Sequence, residues 1–92
     1  MAVLSQAEIN ERLTGVADWQ LENNSLARSF SFSDFREAMS FVNSVADMAE
    51  KAGHHPDIDI RYNKVRLALS SHDAGGITVK DFSLAAEIGE SL

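Results

Sequence analysis

The three histidines of the chain all stand where regular structure gives out, His54 and His55 side by side before Pro56, and His72 within a run of small and polar residues. Imidazole is the side chain whose ordinary pKa lets it both give and take a proton near neutrality, so two of them can serve as acid and base in one reaction. A plainer reading makes His54 and His55 ligands of helix-end carbonyls and His72 an exposed turn residue. Extended backbone sends adjacent side chains to opposite sides, which opposes a shared pocket for His54 and His55, although Gly53 and Pro56 make this segment irregular. Strand parity groups His72 with Arg66, Ala68 and Ser70, away from Val65, Leu67 and Leu69, and so on the open face of a sheet or its rim.

Other chemistries find less support. The chain has no Cys, which removes disulfides, thiolate metal sites, iron–sulfur ligation and cysteine nucleophiles together. Three histidines with Asp57 or Asp81 would make a zinc set, but there is no H-E-x-x-H or other compact metal signature, and no metal is expected. No G-x-S-x-G elbow is present, and Gly75-Gly76 with Lys80 lacks the spacing of a phosphate loop. Trp19 reads as half-buried core or as an apolar plate able to stack on a flat heterocycle. Phe30, Phe32, Phe35 and Phe41 read as core. Glu50 falls in a last helical turn, where negative charge is unfavourable, so it wants a partner such as a histidine beyond the helix end or a ligand donor.

The elements that must hold these groups follow from caps and periodicity. Ser5 with Glu8 forms a capping box and Leu4 with Ile9 a hydrophobic staple, predicting a helix from Ser5 that Gly15 ends in a left-handed cap. Trp19 and Leu21, then Phe30 and Phe32, alternate with polar residues across an Asn23-Asn24 turn, which is a hairpin. Between Asp34 and Ala52 the apolar Phe35, Ala38, Phe41, Val42, Val45, Ala49 and Ala52 recur at helical spacing, and Gly53 stops the run. Ile58, Ile60 and Tyr62, then Val65, Leu67 and Leu69, alternate as two half-buried strands. Thr78 and Asp81 have the spacing of a second capping box, in which Asp81 accepts the N-cap amide, ahead of Phe82, Leu84, Ala85 and Ile88. The expected fold class is α+β, a four-stranded antiparallel sheet with three helices on one face in the order α-β-β-α-β-β-α.

Composition bounds the rest. Ninety-two residues with 45% apolar content suit one domain over 1–92, small enough that self-association is a natural source of extra stability. Eight Lys plus Arg against fourteen Asp plus Glu give a formal charge of -6, which opposes direct nucleic-acid binding. No run approaches the roughly eighteen apolar residues of a membrane span, and Met1-Ala2-Val3-Leu4 lacks the basic and apolar segments of a secretory leader. A cytoplasmic protein is expected, and the Asn23-Asn24-Ser25 glycosylation triplet is then only formal.

The spacing of these residues resembles the pterin-4a-carbinolamine dehydratase family. The stretch Glu50-Lys-Ala-Gly-His54-His55-Pro56, then Tyr62-Asn63-Lys64-Val65, His72 and Asp81 is similar to that family's signature. The likeness reaches Trp19, Phe30-Ser31-Phe32-Ser33-Asp34-Phe35 and Leu69-Ser70-Ser71-His72, and so covers nearly the whole chain. It implies the same element order, assembly as dimers or tetramers, and dehydration of a 4a-hydroxytetrahydropterin to the quinonoid dihydropterin without a cofactor. By the resemblance His54, His55 and His72 are the catalytic histidines, with His54 and His72 moving protons and His55 binding and orienting the substrate. Trp19, Pro56 and Asp81 resemble substrate-site residues, and Glu50 is a support. Asp57-Ile58 departs from the Glu-Trp often found in animal members, and Ala74 replaces a cysteine found there. The implied partners are a small pterin and further copies of the chain, with no nucleic acid or membrane. Two alternatives remain, a non-catalytic dimerisation or protein-interaction module, and a dehydratase acting on a related pterin of molybdenum-cofactor metabolism.

Overall fold

The structure, a computed structural model, describes residues 2–92. Near the start, the Ser5 hydroxyl accepts the Glu8 amide at 3.2 Å and the Glu8 carboxylate accepts the Ser5 amide at 2.9 Å. This reciprocal box satisfies two orphan donors and starts α1, Gln6–Leu13. Ile9 is buried and Leu4 packs against the same cluster, as a staple requires. Gly15 does not form the expected left-handed cap. The chain tightens instead into a 3-10 turn, Thr14–Val16, with right-handed residues on either side, which buries Val16 and lets its carbonyl accept the Trp19 amide at 2.9 Å.

Strands β1, Gln20–Glu22, and β2, Ser25–Ser31, form the hairpin. Asn23 and Asn24 both adopt positive φ, 47° and 63°, the geometry that matches a two-residue turn to the twist of its strands and that asparagine tolerates well. Asp34 then caps α2, Phe35–Ala52, by accepting the Glu37 amide at 2.8 Å. The buried stripe of α2 is Ala38, Phe41, Val42, Val45 and Ala49. Phe35, the first residue of the helix, lies outside it, exposed by half, while Phe30 and Phe32 pack against Phe41 with ring centroids 4.6 and 5.0 Å away.

Strand β3, Asp57–Arg61, pairs antiparallel with β4, Lys64–Leu69, and the sheet order is β1-β2-β4-β3. Only β4 has the expected half-buried alternation. All five residues of β3 are exposed, although Ile58 and Ile60 lie opposite Leu67 and Val65 and so share their face. The reason is coverage: α2 packs chiefly over β4, and α3, Val79–Glu90, over β2, leaving the edge strand with little helix above it. Tyr62 is not a strand residue either. It begins the β3–β4 turn at φ 53°, and Asn63 pins that turn to the end of β2 through its side-chain amide on the Phe32 carbonyl at 2.8 Å.

The three helices cover one face of the antiparallel sheet, and Leu26, Leu67, Leu69, Ile77, Leu84 and Ile88 are fully buried between the layers. Complete burial of such side chains stabilises by about 1.5–3 kcal/mol each. The opposite face is polar: Ser29, Arg66 and Asp59 stand in register across it, as do Ser31, Lys64 and Arg61.

Candidate functional site

Three chain ends converge at one corner of the sheet. The first is the C-terminus of α2, where Gly53 takes the left-handed conformation, φ 63°. Its amide donates to the Glu50 carbonyl at 3.3 Å and the His54 amide to the Ala49 carbonyl at 3.1 Å, the two bonds of a Schellman motif. The second is the loop after β4. The Ser71 carbonyl accepts the Ala74, Gly75 and Gly76 amides at 3.0, 3.0 and 3.3 Å, and Gly75 takes φ 83° to close the turn that carries His72. The third is the start of α3 at Thr78.

Between them lies a cleft of about 370 Å³ lined by Gly53, His54, His55, Ser70, Ser71, His72, Asp73, Ala74 and Lys80. It brings all three histidines together. The objection from extended backbone fails because the Schellman turn and Pro56 keep His54 and His55 out of a strand. β4 ends at Leu69, yet burial goes on alternating through half-buried Ser70, buried Ser71 and exposed His72, so His72 keeps the side of Ser70 that parity gives it. A larger groove of about 650 Å³ between α1 and α3 is lined by Glu8, Arg12, Phe82 and neighbours and contains no histidine.

The adjacent histidines have different surroundings. His54 has a side chain only 11% exposed, and its Nε2 is hydrogen-bonded to Asp81 Oδ1. A carboxylate has no proton to give, so Nε2 donates, and the neutral ring then keeps a lone pair on Nδ1. Nδ1 has no hydrogen-bond partner among the described residues. His55 is largely exposed, and its Nε2 meets Glu50 Oε2 at 2.5 Å. Glu50 thus finds at the helix end the partner its position calls for.

Asp81 is completely buried. Its Oδ2 accepts the Thr78 amide at 2.8 Å and the Ser71 hydroxyl at 3.0 Å, while Oδ1 is left to His54. It therefore stands behind His54 rather than on the cleft wall, and within one chain it reaches a ligand only through that imidazole. The helix-capping and histidine-holding roles are both present, one on each oxygen.

Two further expected site residues lie apart. Trp19 is 4% exposed and packs edge-on against Phe30 with centroids 6.2 Å apart. It lies outside the cleft lining, and its Nε1 has no hydrogen-bond partner among the described residues. Pro56 is half-buried and also outside the lining. Lys80 and Ser71 are members of the site to which the sequence assigns no role. Lys80 carries no motif, and the Ser71 hydroxyl stands ten residues from the Asp81 carboxylate that accepts its proton, a relation only the fold creates. Among the described residues, no group of three or more metal-ligating side chains is close enough to hold an ion.

Comparison with known proteins bears on the family and the fold. Residues 2–91 match the family model described as pterin 4 alpha carbinolamine dehydratase. A chain of Chloroflexus aurantiacus, provisionally named a pterin-4-alpha-carbinolamine dehydratase, is 61% identical over 92 residues, covering 100% of this chain and 99% of that one. One of Acidobacterium capsulatum with the same provisional name is 59% identical over 88 residues, 96% of each. A crystal structure of a transcriptional coactivator/pterin dehydratase from Brucella melitensis superposes with a TM-score of 0.91 at 34% identity, covering 96% of both chains. A pterin dehydratase-like protein described as a RuBisCO assembly factor in the alpha-carboxysome shares the fold, with a TM-score of 0.63 at 22% identity over 78% of this chain and 83% of that one.

Proposed function

Because the chain belongs to the pterin 4 alpha carbinolamine dehydratase family, we propose that it converts a 4a-hydroxytetrahydropterin to the quinonoid dihydropterin and water, with its own histidines as acid and base. The observation that carries this reading is the shared cleft of His54, His55 and His72, in which a buried carboxylate holds one of the three. Loss of water from the C4a–N5 unit requires a proton for the departing oxygen and removal of the N5 proton, with no change of redox state.

His54 is the base in this reading. Its Nδ1 lone pair takes the N5 proton, and Asp81 stabilises the imidazolium that forms. His72 is the acid: it protonates the C4a hydroxyl as the C–O bond breaks, and the N5 electron pair closes the C4a=N5 double bond. His55, exposed at the mouth and paired with Glu50, binds and orients the ring. Asp81 belongs to this reading as the support of His54, while Trp19 and Pro56 lie outside the monomer's cleft lining and are given no part in its chemistry. A pterin of molybdenum-cofactor metabolism is the substrate alternative, since the proton-transfer groups do not select the ring substituent.

We also propose self-association as a dimer or tetramer in the cytoplasm. Ile58 and Ile60 are exposed on an uncovered edge strand, and such an edge is a template for pairing with another copy. The same surface supports the second reading, a protein-interaction module independent of catalysis.

The deciding experiment is a direct assay of the purified protein at neutral pH with 4a-hydroxytetrahydropterin, corrected for spontaneous dehydration. The parent is expected to accelerate dehydration, and His72→Ala to remain folded by circular dichroism yet lose most of the acceleration. Equal rates for parent and variant would remove His72 from the mechanism. No acceleration by the parent, with an intact oligomer, would favour the interaction reading.

A further inference from the structure

Behind the histidine cleft lies a chain of side-chain hydrogen bonds. Ser71 Oγ is 2.8 Å from Thr78 Oγ1 and 3.0 Å from Asp81 Oδ2, and Ser71, Thr78 and Asp81 are all buried. Two hydroxyls and one carboxylate can satisfy these contacts in one sense. The carboxylate accepts only, so the Ser71 proton goes to Asp81, and the Thr78 hydroxyl must donate to Ser71. With the Thr78 amide also on Oδ2 at 2.8 Å, that oxygen receives two donors while Oδ1 receives the imidazole alone.

Resting on the dehydratase reading above, we infer that Ser71 is a positioning residue. Its hydroxyl, aimed by Thr78, fixes the rotation of the Asp81 carboxylate so that Oδ1 stays on His54 and the imidazole keeps its proton on Nε2 and its lone pair on Nδ1. The backbone favours such a role. Ser71 both donates its amide to the Gly76 carbonyl at 2.9 Å and gathers three loop amides on its own carbonyl, so its Cβ has little freedom. A donor relay running Thr78 to Ser71 to Asp81 also polarises each bond in the same direction, which strengthens the whole. Without the serine proton, Oδ2 keeps one donor. The carboxylate can then turn, and the Nε2–H form of His54 loses its advantage.

The test uses the full-length protein as purified, with two readouts. In Ser71→Ala, kcat for 4a-hydroxytetrahydropterin is expected to fall about tenfold with KM held, less than the roughly 10²–10⁴ associated with losing a proton-transfer group itself. Independently of activity, ¹⁵N NMR of the His54 ring in the parent should give the Nε2–H pattern, and Ser71→Ala should give a mixture of tautomers. Ser71→Thr, which retains the hydroxyl, should recover both. An Ala variant with unchanged kcat, or one whose His54 ring signals match the parent's whatever its rate, overturns the inference. A parent without dehydratase activity whose ring signals still respond to Ser71→Ala refutes the dehydratase reading and supports the serine's control of His54. Should Ser71→Ala fail to fold, Thr78→Val removes the hydroxyl that aims Ser71, and the same ring signals decide: a tautomer mixture supports the relay, and the parent pattern overturns it.

Discussion

Replacing Asp81 by Asn changes one atom in a fully buried side chain, and the structure specifies how the new group must sit. Every neighbour of the carboxylate is a donor: the Thr78 amide at 2.8 Å, the Ser71 hydroxyl at 3.0 Å and His54 Nε2. A backbone amide cannot become an acceptor, so the carboxamide keeps its oxygen towards Thr78 and turns its NH₂ towards His54. The imidazole can receive that NH₂ only by presenting a lone pair on Nε2, which moves the ring proton to Nδ1. The proposed base is then protonated at the atom that should take the N5 proton. Loss of one positioned base costs about 10²–10⁴ in turnover, or roughly 3–5 kcal/mol of barrier at about 1.4 kcal/mol per tenfold. Weakening the hydrogen bonds of a buried carboxylate costs about 1–3 kcal/mol of stability, against a total of roughly 5–15 kcal/mol for a domain. Asp81→Asn is therefore expected to melt lower, stay folded at assay temperature and lose far more rate than unfolding explains. Steady-state kinetics with a thermal melt measure both quantities. A folded variant with turnover close to the parent's would refute the tautomer argument.

Three further outcomes follow from the same geometry. His55→Ala removes only an exposed contact with Glu50 worth about 0–1 kcal/mol, so stability should hold while KM rises; a collapse of kcat at constant KM would make His55 a proton-transfer residue instead. Trp19→Phe should leave kcat and KM unchanged. Its stability should shift by no more than about 1 kcal/mol, because relief of the orphan indole N–H offsets lost packing, and a large kinetic defect would bring Trp19 back to the pterin site, as contact in an assembly could do. The Glu8 carboxyl is held below its ordinary value because the Ser5 backbone amide donates to it, helped by the Ser5 side chain. A depressed folded-state pKa means the box contributes in full above the usual carboxylate range and less as pH falls through the depressed value. The parent should therefore be more stable than Glu8→Gln near neutrality and lose that advantage in acid; an advantage independent of pH would contradict the assignment.

Features set by close neighbours along the chain are legible in the sequence itself. The Ser5–Glu8 and Thr78–Asp81 boxes, the Asp34 start and Gly53 stop of α2, and the Asn23-Asn24 turn depend on residues no more than a few positions apart. What burial and contact decide at a distance is not legible there. Ile58 and Ile60 alternate as a covered strand would, but the helices pack chiefly over β2 and β4 and leave them exposed. Phe35 has the right phase for the core, yet at the first position of α2 it stays half exposed. Gly15 permits a left-handed cap, and the chain instead tightens to bury Val16 and Trp19.

Asp81 shows most directly why the site is only partly readable from sequence. As the third residue of a helix it has a sufficient local reason to be acidic, and nothing in the capping pattern reveals that one carboxylate oxygen meets that need and leaves the other free. The free oxygen reaches His54, twenty-seven residues earlier in the chain, because the Schellman turn at the end of α2 fixes the backbone of His54 while the Ser71 loop and the α3 cap fix the carboxylate. Two adjacent imidazoles thereby acquire separate surroundings, His54 against a buried acid and His55 in solvent with Glu50. That asymmetry, and not the mere presence of a histidine pair, is the physical basis for giving one of them the proton transfer and the other the ring.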